Sequence, residues 1–227
     1  MATKLIAGFA LREGAAVLFM GLALFWSAGR IDWWPAWALI AVSSAWSVGT
    51  TLAILRHGPD LLAERLRPRK GAKRWDQAIM GIHAILQLAT FIVAGLDQRY
   101  GWTGALPLAT QGAALITGSL AYSFAIWATA SNPFFSKIVR IQTDRGHTVA
   151  AAGPYRLVRH PAYAGAVLTL ISVPILLASR PALVIGSVDA ILMILRTALE
   201  DRTLQAELPG YREYARQVHH RLLPGLW

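Results

Sequence analysis

The chain has 227 residues, of which 55% are hydrophobic and only 15% are charged. An average soluble domain has about 25% charged residues, so this composition indicates an integral membrane protein. Cysteine is absent, which excludes disulfide bonds and thiolate metal sites. The net charge of +10 is explained by Lys and Arg in loops beside a membrane. Because no nucleic-acid-binding motif accompanies that charge, we expect no nucleic-acid partner.

Six stretches are long and apolar enough to be predicted as membrane-spanning helices, because a helix needs about 20 mainly apolar residues to cross a bilayer. The last two stretches are joined only by Arg180–Pro181, which predicts a tight helical hairpin. We therefore predict an all-α integral membrane protein that forms a single membrane domain over residues 1–227. The predicted spans are residues 14–28, 33–55, 77–96, 105–130, 163–179 and 182–199.

Positive charge predicts how these helices are oriented. Only Arg30, Arg99 and Arg180, of 22 Lys and Arg residues, fall in turns on one side of the predicted bundle. Lys and Arg favour cytoplasmic loops, so both termini are predicted to be cytoplasmic. The outer interface would then carry an aromatic belt of Trp33, Trp34, Trp37, Tyr100 and Trp102.

A basic loop, residues 56–75, separates the second and third predicted spans within the transmembrane half, residues 1–130. Its leucines Leu61, Leu62 and Leu66 have helical spacing. This pattern is typical of an amphipathic turn that lies on anionic lipid headgroups, and the alternative is a dedicated substrate site.

The last 28 residues, from Glu200, predict a cytoplasmic amphipathic helix that is broken at Pro209–Gly210. The apolar residues at its end would touch the membrane surface. These residues are Leu222, Leu223, Leu226 and Trp227.

Between the fourth and fifth spans, polar residues interrupt the apolar sequence, most densely in GPYRLVRHPAYAG, residues 153–165. Pro161 disfavours a helix at His160, so His160 and the nearby Arg156 and Arg159 are presented from non-helical backbone. Such backbone near a membrane is tolerated where it is buried in protein or lines a cavity. The simpler interpretation is a loop whose arginines anchor it to headgroups and whose histidine is hydrogen-bonded.

Two adjacent acids, Glu200 and Asp201, follow the last predicted span. Acids are costly near lipid, although a helix end that faces water would accommodate them. If the hairpin folds back, they meet the polar loop of residues 153–165 and form with it a pocket with anionic and cationic walls, suited to a zwitterionic ligand. The histidines show no H-x-x-x-H spacing and cysteine is absent, so we expect no metal.

The combination of GPYRLVRHPAYAG, the acidic pair in EDRTL and the terminal YREYARQVHHRLLPGLW resembles the isoprenylcysteine carboxyl methyltransferase family, with its phospholipid N-methyltransferase relatives. The resemblance covers about residues 127–227. NPFFSKIVRIQTDRGH, residues 132–147, is similar to bacterial members, which implies a bacterial inner-membrane protein.

The resemblance implies an S-adenosylmethionine-dependent methyltransferase whose catalytic half is residues 131–227. Its hydrophobic small-molecule or lipid substrate would enter laterally from the membrane, while the cofactor enters from the cytoplasm. Arg159, His160 and Glu200 would be catalytic, and Asp201 stands where the family usually has a second glutamate. The implied cofactor-binding residues are His147, Gly153, Tyr155, His160, Pro161, Tyr163, Glu200 and Asp201.

Several alternatives stay open at this point. The acceptor is a prenylcysteine-type carboxylate, a phospholipid amine, or another lipid-like molecule; His160 or Glu200 would assist an amine, which must lose a proton. A sterol-reductase-type enzyme that uses NADPH and a non-catalytic membrane binding or transport protein are the competing classes. Asp189, inside the last span, is a functional candidate by its position, or is satisfied by a hydroxyl such as that of Ser187.

Overall fold

A computed structural model describes residues 2–56, 59–66 and 71–227 of the chain, and in these residues it contains eight α-helices and no strand. Five helices are long and apolar enough to cross a membrane, and α6 is a shorter apolar helix. The prediction of an all-α integral membrane protein is confirmed. The helices are α1 (Ala2–Ala28), α2 (Trp34–Leu55), α3 (Pro59–Leu66), α4 (Arg74–Tyr100), α5 (Leu108–Ala130), α6 (Pro161–Leu176), α7 (Arg180–Glu207) and α8 (Tyr211–Gln217).

The first helix begins earlier than predicted, at Ala2. The charged pair Arg12–Glu13, which set the predicted limit, is compensated by other segments of the chain. Arg12 Nη1 donates to the carbonyl oxygen of Arg65 at 2.9 Å, and Glu13 pairs with Lys137 at 3.1 Å. Because neighbouring segments satisfy both charges, the helix continues through them.

The predicted hairpin forms, but its joint lies before Arg180 rather than at Arg180–Pro181. α6 contains Pro174 and ends at Leu176, and Ala178 just beyond it has a left-handed backbone with a φ of +56°. Pro181 instead lies in the first turn of α7, where proline is tolerated. α7 extends two turns beyond the end of the predicted span, so the two acids lie in the same helix as that span. The break predicted at Pro209–Gly210 separates α7 from α8.

One end of the bundle carries α3, the segment 131–160, α8 and the C-terminal tail, and we call it the loop end. The leucines of α3 lie in the protein interior: Leu61 and Leu62 pack against Phe9 of α1 and Ile54 of α2. The predicted basic turn therefore docks its leucines on two helices. The rest of that turn, residues 57–58 and 67–70, lies outside the described residues.

Close helix packing brings α5, α6 and α7 together beneath the loop end. A Cβ on Gly165 of α6 would collide with the carbonyl oxygen of Ala121 on α5. Small residues allow backbones to approach in this way where lipid provides no hydrophobic driving force between helices. The contact fixes the start of α6, and with it the position of the polar residues at its N-terminus.

Candidate functional site

A cavity of about 620 Å³ runs from the loop end into the helix bundle. Its wall is polar at the loop end and mainly apolar between the helices. The polar wall includes Asn132, Gln142, His147, Tyr155, Arg159, His160, Tyr163, Arg196, Glu200 and Tyr211, and the deeper wall includes Val17, Met20, Leu39, Phe91, Leu170 and Val173.

Tyr163 and Glu200 meet where α6 faces α7. The Tyr163 hydroxyl donates to Glu200 Oε2 and accepts from Arg196 Nη1. Arg196 Nε donates in turn to Asp76 of α4 at 2.8 Å. The second Asp76 oxygen accepts the backbone N–H of Val139 at 2.8 Å, so this chain of contacts joins three helices and the loop.

Asp201 is fully buried and connects the loop (residues 131–160), α7, α8 and the tail (residues 218–227) to one another. Its carboxylate accepts from Arg159 Nε at 2.8 Å and from Arg221 Nε at 2.9 Å. The Tyr211 hydroxyl donates to it at 3.1 Å, and His160 Nε2 lies 3.3 Å away. A buried acid with so many partners is fixed in position.

The C-terminal tail folds under the same loop. The backbone N–H groups of Arg159 and His160 donate to the carbonyl oxygens of His220 and Arg221, each at 2.9 Å. Arg159 Nη1 also donates to the carbonyl oxygens of Val218 and His219 at 2.8 Å. The guanidinium of Arg159 is therefore occupied by Asp201 and the tail. The tail's leucines differ in exposure, since Leu222 is buried whereas Leu223 and Leu226 are exposed.

The segment before α6 forms the opposite part of the polar wall. Gly153 has a φ of +58°, and a Cβ there would collide with Ser131 Oγ. This glycine lets Tyr155 turn inward, where its hydroxyl accepts from Asn132 Nδ2 at 3.3 Å. His147 Nδ1 accepts the backbone N–H of Gln142 at 3.2 Å.

The structure brings most of the residues singled out from the sequence to one place. Six of them line the cavity: His147, Tyr155, Arg159, His160, Tyr163 and Glu200. The other three lie behind that wall. Gly153 forms a turn, Pro161 begins α6, and Asp201 holds the loop from beneath.

Two polar contacts between α4 and α7 were missed from the sequence. One is the buried Asp76–Arg196 ion pair, whose arginine was counted among the cytoplasmic charges. In the other, Asp189 bonds to His83 rather than to Ser187, whose hydroxyl donates to the carbonyl of Leu183. The available signal was a polar residue inside a predicted span, which applies to His83, Asp189 and Arg196 but not to Asp76.

A second, more open apolar groove of about 950 Å³ lies between α1 and α2. Three residues, Glu13, Val17 and Ser47, line both this groove and the cavity. The two spaces therefore adjoin and share part of their walls.

His147 makes stability depend on pH. Its partial burial, together with Arg140 and Arg145, holds the pKa of His147 below its usual value of 6.5. Just below pH 6.5, the unfolded chain therefore binds more protons than the folded protein. The contribution of His147 to the free energy of unfolding is complete above pH 6.5 and is lost as pH falls. We expect the unfolding midpoint of wild type, followed by tryptophan fluorescence in detergent, to drop more between pH 7.5 and 5.5 than that of His147→Asn. An equal drop would contradict this, and exposed His219→Asn is the control.

The polar wall suits a ligand that carries both a positive and a negative charge. It offers a carboxylate, imidazoles and phenolic hydroxyls beside buried arginines. Across the described parts of the chain, no group of three His, Asp or Glu side chains is placed to hold a metal ion. The site thus fits an organic ligand that has hydroxyl, ammonium and carboxylate groups.

Comparison with known proteins bears on the second half of the chain. Residues 113–206 match the sequence profile described as the Isoprenylcysteine carboxyl methyltransferase (ICMT) family. The matched range contains GPYRLVRHPAYAG and EDRTL and ends before the C-terminal tail. No curated protein matches the chain. The profile match confirms, over these residues, the resemblance seen in the sequence to the isoprenylcysteine carboxyl methyltransferase family, a family of membrane methyltransferases.

Proposed function

We propose that this protein transfers a methyl group from S-adenosylmethionine to oxygen or nitrogen of a lipid-like or prenylcysteine-like acceptor in the membrane. The observation that carries the proposal is the single cavity with a polar end among the loops and an apolar interior among the helices. A charged cofactor and a hydrophobic acceptor need these two environments side by side.

The residues of the polar end fit S-adenosylmethionine. Glu200 Oε2 accepts from Tyr163, while Oε1 makes no hydrogen bond among the described residues and can take a ribose hydroxyl or an ammonium. Tyr155 accepts from Asn132, which leaves its own O–H to donate. We assign contact with the cofactor to five residues that line the cavity: His147, Tyr155, His160, Tyr163 and Glu200. Gly153 and Pro161 lie behind the wall and support it, as a turn and as the start of α6.

Arg159 and Asp201 have a positioning role in this proposal. Their mutual ion pair holds His160 against α7 and leaves few N–H groups of Arg159 for a ligand. When bound, the cofactor supplies a methyl group already activated on a sulfonium. The protein's own residues orient the two reactants and exclude water, which can be worth several kcal/mol.

The acceptor reaches the cavity from the membrane in this proposal. The groove between α1 and α2 adjoins the cavity and is lined mainly by apolar residues. We place the loop end, with both termini, on the cytoplasmic side of a bacterial inner membrane. The concentration of Lys and Arg at that end supports this orientation.

Isothermal titration with S-adenosylhomocysteine in detergent tests the proposal. We expect wild type to bind and both His160→Ala and Glu200→Ala to bind at least about tenfold more weakly, since a hydrogen bond to a charged group is worth about 1.5–3 kcal/mol. Glu213→Ala, which removes an exposed acid of α8, is the control and should bind like wild type.

The competing functions give different results in the same preparation. Thermal stabilisation by NADPH but not by S-adenosylhomocysteine would favour a reductase and overturn the proposal. Binding of neither would leave a non-catalytic membrane protein. Undiminished binding by both alanine variants would contradict the site assignment alone.

A further inference from the structure

A second polar cluster lies in the deep part of the cavity, away from the loop end. Asp189 of α7 is fully buried. Its two carboxylate oxygens lie 2.8 and 3.0 Å from His83 Nδ1, and Gln87 Nε2 donates to it at 3.0 Å. His83 and Gln87 are four residues apart on α4, so both face α7.

The depth of this cluster follows from the helices that carry it. His83 is seven residues from Asp76 on α4, and Asp189 is seven residues from Arg196 on α7. At a rise of 1.5 Å per residue, the cluster lies about 10 Å deeper in the bundle than the Asp76–Arg196 pair. The cavity contacts both levels, because His83, Gln87 and Arg196 all line it.

Packing between α4 and α7 does not by itself explain why His83, Gln87 and Asp189 are polar. An ionisable pair within a membrane span is costly, and apolar residues would join α4 and α7 as well. The His83 side chain is not closed off: it keeps 25% of its exposure. Its second ring nitrogen, Nε2, makes no hydrogen bond among the residues that the structure describes.

The Asp189 carboxylate determines which tautomer His83 adopts and therefore whether Nε2 can accept a proton. With Nδ1–H donating to Asp189, the lone pair of the imidazole is on Nε2. A histidine oriented by a buried carboxylate, with its other nitrogen open to a cavity, is the arrangement of a general base.

We propose that His83 is the proton acceptor for the methyl acceptor, and that the nucleophile of this acceptor carries a proton, as the hydroxyl or amine of a membrane-embedded amphiphile. This inference rests on the proposed function and names the substrate class for the same cavity. His83 touches the substrate, and Asp189 and Gln87 position His83.

The step balances without another reactant. As the acceptor oxygen or nitrogen forms its bond to the methyl carbon, the methyl–sulfur bond breaks and its electron pair stays on sulfur. The proton of the acceptor passes to His83 Nε2, and the imidazolium is held beside the Asp189 carboxylate until the proton leaves to water.

The charge of Asp189 favours a methyl acceptor whose nucleophilic atom carries a proton over a carboxylate. A carboxylate has no proton to give at neutral pH, so His83 would have no role. It would also bring a second negative charge towards Asp189, in a low-dielectric site where like charges repel strongly. A neutral hydroxyl meets neither obstacle.

Binding of two matched probes tests this recognition without turnover. We expect 4-dodecylphenol to raise the unfolding midpoint of wild type more than 4-dodecylbenzoate does. His83→Asn keeps an N–H donor for Asp189 and lacks the basic nitrogen, so this preference should be smaller in it, leaving only the part due to the charge of Asp189; an unchanged preference would contradict the role of His83. S-adenosylhomocysteine affinity should stay within about threefold of wild type. Ser187→Ala, beside Asp189 and outside the cavity wall, is the control and should behave as wild type.

Transfer of labelled methyl to lipid extract gives the second measurement. We expect label that is stable to alkali, as in an ether or an N-methyl group, and a loss of at least about 100-fold in His83→Asn. If that variant misfolds, Asp189→Asn should lose at least about tenfold. Alkali-labile label, which marks a methyl ester, or full activity in these variants would overturn the inference alone. No transfer by wild type would overturn the proposed function as well.

Discussion

Replacing Asp201 with alanine should destabilise the protein by about 3–5 kcal/mol, because it leaves the buried Arg159 without its counter-charge. The same change removes the partner of Arg221 and the acceptor for Tyr211. Against a total stability of about 5–15 kcal/mol, a loss of this size lowers the yield of folded protein and its unfolding midpoint. Thermal unfolding followed by the fluorescence of the nine tryptophans measures it.

The matched control for Asp201 is Glu213→Ala. Glu213 also pairs with an arginine, Arg216, at 2.9 Å, but both side chains are more than half exposed. An exposed pair contributes at most about 1 kcal/mol. If the two alanine variants unfolded at the same temperature, Asp201 would not be the anchor of the loop and the tail.

The sequence was sufficient for the class of fold and for six of the residues that line the polar wall. Long apolar stretches separated by charged loops predict a helical membrane protein, since lipid allows few other solutions. Polar residues are costly beside lipid. We therefore predicted that those of segment 153–165 form one site with the acids Glu200 and Asp201.

What could not be predicted was which polar residues satisfy each other. Glu200 and Asp201 are neighbours in sequence, yet they point to different partners, since adjacent residues of a helix face different directions. Glu200 meets Tyr163 at the cavity, and Asp201 meets Arg159 behind its wall. The start of α1 was also misplaced, because Arg12 and Glu13 are compensated by residues that are distant in sequence.

The same limit explains why Asp76 and His83 were overlooked. Asp76 lies in the polar first turn of α4, just before the predicted span of residues 77–96, and His83 lies within that span. Each finds its partner more than 100 residues away on α7. Pairing at such separation depends on which helices are neighbours. Composition and periodicity carry no information about that.

The Asp76–Arg196 pair allows the structural and the functional role of a buried charge to be separated. Asp76→Asn leaves Arg196 buried without its ion-pair partner. Arg196→Met leaves Asp76 buried without its ion-pair partner. Each single variant should lose about 3 kcal/mol or more. The double variant has neither charge, and the introduced amide would still offer an oxygen to the Val139 N–H. Its stability should therefore return to within about 1 kcal/mol of wild type.

Function should not return with stability in the double variant. Arg196 also donates to the Tyr163 hydroxyl, which donates to Glu200 at the cavity wall. Without the guanidinium, Tyr163 and Glu200 lose their fixed geometry, and we expect S-adenosylhomocysteine to bind at least about tenfold more weakly. Unfolding midpoints and isothermal titration on the same four proteins measure both effects. Recovery of binding together with stability would show that Arg196 acts only as a clasp between α4 and α7.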